Sequence, residues 1–226
     1  MIVADDQFRP GTFVDGFRFI GDNAGFLLHL TALHLELSLT ALAIAIVLAL
    51  PLGLWLGHRH RGLFVALSVS SVGRSLPSLV LIAFGVLVLG IGFWNNTAAL
   101  TVLAVPSILT NAYFAIDGVE PEIVDAARGM GMSERQILFQ VELPLGLPLV
   151  MAGIRIAAIF VIATATIAGI AGVERGGLGQ IMVNPVTYNR SGVLAAAFCV
   201  AAMALATNFV LGLAQHAASR RMAPRA

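Results

Sequence analysis

Few side chains within the apolar segments of this sequence could carry acid, base or metal chemistry. His29, His34 and Glu36 lie close together in one such segment, and a proton-binding site or an intramembrane enzyme would depend on them. They do not form the zinc-binding pattern His-Glu-x-x-His. We therefore expect the two histidines to lie in an outward extension of the first apolar helix, near the membrane interface. We expect Glu36 to lie at a helix end in headgroup water.

The basic residues exclude one kind of nucleotide site. All 13 of them are arginine, whereas a P-loop needs a lysine that reaches the nucleotide phosphates. The glycine-rich residues 172–179 follow no predicted strand and also lack lysine. If ATP drives this protein, the ATPase is therefore a separate subunit, and we predict no cofactor and no catalytic or metal-binding residue in this chain. The net charge of +1 gives no argument for a nucleic-acid partner.

The composition predicts a membrane protein. Hydrophobic residues make up 58% of the chain and charged residues 11%, and the mean hydropathy is +0.92; soluble domains average about 25% charged residues. Because about 20 apolar residues span a bilayer, we predict spans at about 30–57, 63–92, 97–117, 145–171 and 193–215. These belong to a membrane domain at 24–215, which follows an extracytoplasmic or interfacial segment at 1–23 and precedes a basic tail at 216–226.

The second predicted span has a break in its middle. The run Ser70-Ser-Val-Gly-Arg-Ser-Leu-Pro-Ser78 interrupts the apolar pattern. Pro77 removes one backbone donor, and the nearby hydroxyl groups can satisfy freed carbonyls. An arginine at this depth marks a transport pathway or a buried pair. We therefore keep both roles open for Arg74 and take Arg74, Ser75, Pro77 and Ser78 as a candidate lining of the pathway.

The polar loop at 118–144 has the pattern helix, tight turn, helix. Pro121 suits the first position of a helix, and Gly129 and Gly131 permit a reversal with positive φ. The pattern Ser133-x-x-Gln136 is typical of a capping box that begins a second short helix. We expect Pro144 to end that second helix.

The spacing of seven residues in this loop resembles the EAA loop, the signature of permease subunits of bacterial ATP-binding-cassette (ABC) importers. The matching residues are Asp125, Ala126, Ala127, Gly131, Val141, Leu143 and Pro144. The family pattern has Glu and Ile where this chain has Asp125 and Val141. The resemblance implies that these residues couple the permease to its ATPase, and we call residues 118–144 the EAA-like loop.

The resemblance extends over roughly residues 30–195 and is closest to the osmoprotectant permeases, which import glycine betaine, choline and carnitine. The runs that carry it are Ser75–Leu79, Asn111–Tyr113, Ala127–Met132, Val141–Pro144, Ala152–Arg155, Ala163–Ile167 and Gly176–Gly179. It implies three partners: an ABC ATPase subunit, a second permease subunit (identical or paralogous), and an extracytoplasmic solute-binding protein. Import of another small solute such as an amino acid, or ion-coupled secondary transport, is the alternative.

The distribution of arginine predicts the orientation. Cytoplasmic loops carry an excess of positive charge, and seven arginines lie on the side of the EAA-like loop: Arg59, Arg61, Arg128, Arg135, Arg220, Arg221 and Arg225. Four lie on the other side: Arg9, Arg18, Arg175 and Arg190. The sequence thus predicts an all-α integral membrane protein with about five spans, and the resemblance implies that it lies in the bacterial cytoplasmic (inner) membrane. The N-terminus is outside, and the C-terminus and a coupling-helix loop are cytoplasmic.

Overall fold

The computed structural model describes residues 11–171 and 177–222, and the regular elements in these ranges are all helical. The ten α-helices are α1 (Gly11–Asp22), α2 (Ala24–His58), α3 (Leu63–Ser75), α4 (Ser78–Leu89), α5 (Phe93–Asp117), α6 (Pro121–Gly129), α7 (Glu134–Ile137), α8 (Leu143–Ala165), α9 (Gly179–Met182) and α10 (Pro185–Met222). A π-helical segment, Leu138–Glu142, precedes α8, and a 3-10 segment, Thr166–Ala171, follows it.

Four continuous helical segments are long and apolar enough to cross a bilayer. They are Ala24–His58, Phe93–Asp117, Glu134–Gly169 and Pro185–Ala217. The pair Leu63–Gly73 and Ser78–Leu89, bent by 90° at its break, makes a fifth candidate. This architecture confirms the predicted all-α membrane fold with about five spans.

Helices α2, α5 and α8 form the core because small residues let their backbones approach closely. A Cβ atom placed on Gly53 of α2 would lie 2.7 Å from the backbone oxygen of Leu109 on α5. A Cβ on Gly153 of α8 would lie 2.5 Å from Cβ of Asn111, also on α5. In lipid, helix association depends on such packing and on interhelical hydrogen bonds, and Thr101 of α5 donates one to the Ala41 carbonyl at 3.2 Å.

Helices α3 and α4 lie against α5 and are separated where the sequence predicted a break. Leu76 and Pro77 are extended, with ψ values of 119° and 125°. Gly73 packs directly on the ring of Pro106, so α3 sits close to α5 just before the break. The two halves of the predicted span at 63–92 are therefore differently directed helices.

Arg155 joins α8 to α10 at membrane depth. Its Nε donates to Oδ1 of Asn208 at 2.6 Å, and Nη1 lies 3.5 Å from Oε1 of Gln215. The amide of Gln215 in turn donates to the Pro148 carbonyl at 3.1 Å. Neutral amide oxygens thus accept the hydrogen bonds of this intramembrane arginine and connect the last helix to the core.

The terminal regions are more helical than the sequence suggested. The segment at 1–23, predicted to be interfacial or loosely ordered, contains α1, which packs on α10 through the stacked rings of Phe17 and Phe198 at 4.8 Å. The polar residues 180–192 include the end of α9 and the start of α10. The irregular point there is Asn189, with φ 55° and ψ 177°.

The sequence did not indicate that the ring of His34 is buried inside the protein. Its side chain is 0% exposed, and its Nε2 donates to the Ile162 carbonyl of α8 at 2.9 Å. The turn at Gly177 covers it, with so little space that a Cβ there would lie 2.7 Å from that of His34. Packing by two later segments, invisible in the local sequence, buries this ring. His29 and Glu36 are exposed, but Glu36 lies within the continuous helix α2 and not at its end, where the sequence had predicted it.

The predicted helix end at Pro144 is also wrong. The chain remains helical from Glu134 to Gly169, and Pro144 lies in the first turn of α8. The π-helical turn before it changes the bonding, since the Leu143 amide donates to the Leu138 carbonyl, five residues back. Within this continuous helix Pro144 removes one backbone donor, and the π-helical turn lies where that donor is missing. The second short helix of the EAA-like loop is therefore continuous with α8.

Candidate functional site: the EAA-like loop

The turn of the EAA-like loop explains why glycine stands at position 131. Gly131 has φ of +82°, in the left-handed region that favours glycine. The Met132 amide donates to the Ala127 carbonyl at 3.2 Å, and the Gly131 amide donates to the Arg128 carbonyl at 3.0 Å. This pair of bonds is a Schellman motif that ends α6. Gly129, also predicted to need positive φ, instead lies within α6.

The predicted capping box at the start of α7 is confirmed. Oγ of Ser133 accepts from the Gln136 amide at 3.4 Å, and the Ser133 amide donates to Oε1 of Gln136 at 2.8 Å. These bonds satisfy two backbone donors that a helix start leaves free. The end of α6 and the start of α7 are thus both set by local hydrogen bonds.

A small apolar cluster packs against the inner side of the turn. Its buried members are Val119, Val124, Ala127 and Ile137, and Met132 and Val141 pack against them. Leu143 instead contacts the neighbouring cluster between α2, α5 and α8, and Pro144 is half-buried. Among the predicted coupling residues, the structure therefore brings Ala127 and Val141 together under the turn.

The outer face of α6 is exposed and carries charge. The side chain of Asp125 is 74% exposed, and Ala126, Gly131 and Met130 are also open to solvent. Arg128 donates to Asp125 at 3.1 Å and to the two oxygens of Glu134 at 3.0 and 3.3 Å. The hydrogen bond from Arg128 lowers the pKa of Glu134, and the same bond raises the pKa of Arg128.

His58, at the end of α2, connects this loop to the core. Its Nδ1 lies 2.6 Å from Oε2 of Glu142, and its Nε2 lies 3.3 Å from Oε2 of Glu134. The Glu142 side chain is only 1% exposed and His58 only 10%. A carboxylate buried in this way is expensive without a partner, and removing one member of such a pair costs about 3–5 kcal/mol.

Sequence reasoning missed this connection. His58 was part of the basic run His58–Arg61, and Glu142 was an unassigned residue inside the coupling motif. The two lie 84 positions apart, so no local pattern joins them. The available signal was chemical: an acidic residue between apolar neighbours, next to a predicted span, needs a basic partner.

The candidate pathway residues lie at the break between α3 and α4. Oγ of Ser75 donates to the Ser71 carbonyl at 2.8 Å, Pro77 is exposed, and Ser78 begins α4. The side chain of Arg74 lies outside the described part of the chain. Beside the break, an apolar crevice of about 370 Å³ opens between α3 and α5. The pathway role of Arg74, Ser75, Pro77 and Ser78 stays a prediction.

Comparisons with known proteins agree with the architecture. The chain is 36% identical over 161 residues to the carnitine transport permease protein OpuCB of Listeria monocytogenes, covering 71% of each chain. It is 33% identical to the glycine betaine/carnitine/choline transport system permease protein OpuCB of Bacillus subtilis, covering 92% of this chain and 93% of the relative.

A solved structure shares the fold. The MetNI methionine ABC transporter, in an inward-facing conformation, superimposes with a TM-score of 0.74 at 24% identity, covering 85% of this chain and 95% of that chain. At that identity the likeness concerns the fold alone. The family model for binding-protein-dependent transport system inner membrane components matches residues 31–224, and the chain belongs to that family.

Proposed function

We propose that this chain is the permease subunit of an ABC importer for a small quaternary amine such as glycine betaine, choline or carnitine. The observation that carries the proposal is the family match over residues 31–224, which includes the whole EAA-like loop. Transport by such a subunit consists of alternating access between two sides of the membrane. The chain itself forms and breaks no covalent bond.

The exposed face of α6 supports docking of a separate ATPase subunit at the EAA-like loop. Asp125 and Ala126 are exposed, while Ala127 and Val141 pack together on the inner side of the turn. Movement of the docked ATPase would pass through α7 directly into α8, because the helix is continuous between them. With this loop cytoplasmic, the C-terminus is cytoplasmic and the N-terminus lies outside. ATP is then used by the partner subunit.

The solute class rests on the named relatives. Carnitine, choline and glycine betaine, which appear in their names, all carry a quaternary ammonium group, and such groups are usually recognised by aromatic faces. This chain has only two Trp and two Tyr. We therefore assign solute recognition to an extracytoplasmic binding protein, and passage to a channel between this chain and a second permease subunit. Arg74, Ser75, Pro77 and Ser78 are the proposed lining.

The test is radiolabelled uptake by vesicles that contain the chain with its ATPase and binding protein. The solute panel contains glycine betaine, choline and carnitine, and it includes methionine to test the alternative that the solute is an amino acid. We expect ATP-dependent uptake of at least one quaternary amine and none of methionine. ATP-dependent uptake of the amino acid alone would overturn the solute class, and uptake driven by an ion gradient without ATP would overturn the transporter class.

A further inference from the structure

We infer that one polar side of α5 lines the solute pathway. Four residues make up this side, which we call the α5 polar face: Ser107, Thr110, Asn111 and Phe114. Their spacing of i, i+3, i+4 and i+7 places them on one side of the helix. The inference rests on the proposed function for the identity of the solute, and it adds residues that are absent from the predicted lining.

The α5 polar face lies near the middle of the membrane and is accessible. A rise of 1.5 Å per residue places Ser107 about 21 Å from the start of α5 at Phe93 and about 15 Å from its end at Asp117. Ser107, Thr110 and Asn111 are half-buried, and Phe114 is 39% exposed. The chain therefore leaves polar side chains open at a depth where most of its open side chains are apolar.

The hydrogen bonds of this face do not exhaust its polar groups. Asn111 donates to the Ser107 carbonyl at 2.8 Å, and Thr110 donates across to the Ala66 carbonyl of α3 at 3.4 Å. A carboxamide has a second N–H and two acceptor lone pairs, and a polar group that lipid tails surround loses its hydrogen bonds to water. A half-buried asparagine at this depth therefore needs protein, water or solute beside it.

Two neighbouring helices flank the face. Gly73 of α3 packs on Pro106, and Gly153 of α8 approaches so closely that a Cβ atom there would lie 2.5 Å from Cβ of Asn111. At about 100° per residue around the helix, Pro106 and Asn111 are about 140° apart, and Thr110 lies between them. The α5 polar face is thus the strip of α5 between α3 and α8.

The face continues the lining proposed at 74–78. Gly73, which packs on α5 beside the face, directly precedes that lining. From this level α5 runs on to Asp117, where the EAA-like loop begins. The two sets of residues therefore make one continuous surface that extends from the break between α3 and α4 toward the loop.

The chemistry of the face fits a quaternary amine. Such a group carries a positive charge but no N–H, so its available partners are hydroxyl and amide oxygens and aromatic rings. The ring of Phe114 packs edge to face on Tyr113 at 5.3 Å. Neutral oxygens attract a cation without the charge of a carboxylate, and a transported solute must bind weakly enough to leave.

The test measures the reactivity of single cysteines in the complete transporter in vesicles. Cys199, the only cysteine of the chain, is first replaced by alanine, and the test variants are then Ser107→Cys, Thr110→Cys and Asn111→Cys. The probe is trimethylammonioethyl methanethiosulfonate, a water-soluble thiol reagent that itself carries a quaternary ammonium group. Its rate of reaction is measured with ATP and without it.

Val47→Cys is the matched control. Val47 is 71% exposed on α2, in an apolar run of the sequence. Its depth matches that of Ser107, because Thr101 of α5 donates to the Ala41 carbonyl of α2, and the two positions lie equally far beyond this bond. We expect Val47 to face lipid.

We expect the three test cysteines to react at least about tenfold faster than Val47→Cys with ATP or without it, because the reactive thiolate needs water. Glycine betaine, choline or carnitine in excess should slow these reactions about threefold or more by occupying the same space. Rates equal to that of Val47→Cys in both conditions would overturn the inference. So would a disulfide between two copies at these positions without reaction with the reagent, because it would place the face at the subunit interface.

Failure of the proposed solute class gives a different result. If the test cysteines react fast but none of the three quaternary amines slows the reaction, the lining is supported and the solute class is wrong. Accessibility to the reagent does not require uptake, so the comparison with Val47→Cys also decides for or against the lining in a transporter that imports no quaternary amine.

Discussion

The two ends of the α2–α5–α8 core are held together by different chemistry. At the end that carries the EAA-like loop, His58 contacts two carboxyl groups, and one of these is 59% exposed. At the opposite end, His34 is completely buried and donates to the backbone carbonyl of Ile162. Asn95 and Asn96 do the same there, donating to the carbonyls of Ile82 and Ala168 at 3.3 and 3.4 Å.

The difference indicates how each end can respond. At the end opposite the loop, the hydrogen bonds run from neutral side chains to backbone carbonyls. They fix the packing of the helices there and present no charged group with which a docked protein could interact. Contacts that involve carboxylate side chains respond to the charges of a docked protein. The loop end therefore has the properties expected of a surface that receives a signal from another subunit, whereas the opposite end has those of a fixed junction.

The largest expected effect comes from the close approach of α2 to α5 near the loop end. Gly53→Val places atoms where a Cβ alone would lie 2.7 Å from both the Leu109 oxygen and Cβ of Ala112. We expect destabilisation of about 3 kcal/mol or more and little protein in membranes. Gly25→Val, on the same helix with nothing within 4 Å, is the control and should accumulate normally. Equal levels of the two variants would contradict the packing described for the core.

Removing the buried ring at the opposite end should have the next largest effect. His34→Ala leaves a cavity and deprives the Ile162 carbonyl of its side-chain donor, which should cost about 2–4 kcal/mol. The measurement is thermal unfolding in detergent. His29→Ala, an exposed histidine on the same helix, should unfold at the wild-type temperature. A wild-type result for His34→Ala would mean that this end does not depend on the histidine.

The smallest effect is expected for the exposed charges of the loop end. Arg128→Gln removes the bonds to Asp125 and Glu134, but all three side chains are at least half exposed, so the melting temperature should change by less than about 2 °C.

Lowering the pH should remove the contribution of Glu134 to stability. Because the pKa of Glu134 is lowered in the folded protein, its contribution is present above its unfolded pKa near 4.5 and is lost as pH falls through the folded value. Melting curves at low and high salt, at pH 7 and in acid, test this. If Arg128→Gln lowered the melting temperature strongly at pH 7 in both low and high salt, this would contradict the comparison of the two ends.

Local chemistry made part of the loop predictable. Gly131 and the pair Ser133 and Gln136 form bonds within a few residues, so their geometry could be inferred from turn and capping patterns. Composition was sufficient to identify the spans, and Pro77 was sufficient to locate the break between α3 and α4. Each of these features is set by interactions that lie close together in the sequence.

The failures concern one local ambiguity, at Pro144, and two contacts between distant segments. Pro144 is compatible both with a helix end and with a first helical turn, and the preceding π-helical turn has no signal in one sequence. The burial of His34 becomes evident only once α8 and Gly177 are seen to cover its ring. The pairing of His58 with Glu142 joins positions 84 residues apart, and only the fold brings them together.

Coupling through the EAA-like loop is tested by comparing Gly131→Asp with Gly129→Asp in the complete transporter. Both positions are open, with nothing within 4 Å, but only Gly131 has a positive φ, of +82°, so the two variants differ in the turn that presents α6. The measurement is ATP-dependent solute uptake, with membrane protein level and ATPase co-purification recorded on the same samples. We expect normal membrane levels for both variants, with weakened co-purification of the ATPase and little uptake for Gly131→Asp alone. Full uptake by a normally expressed Gly131→Asp protein would contradict coupling through the EAA-like loop.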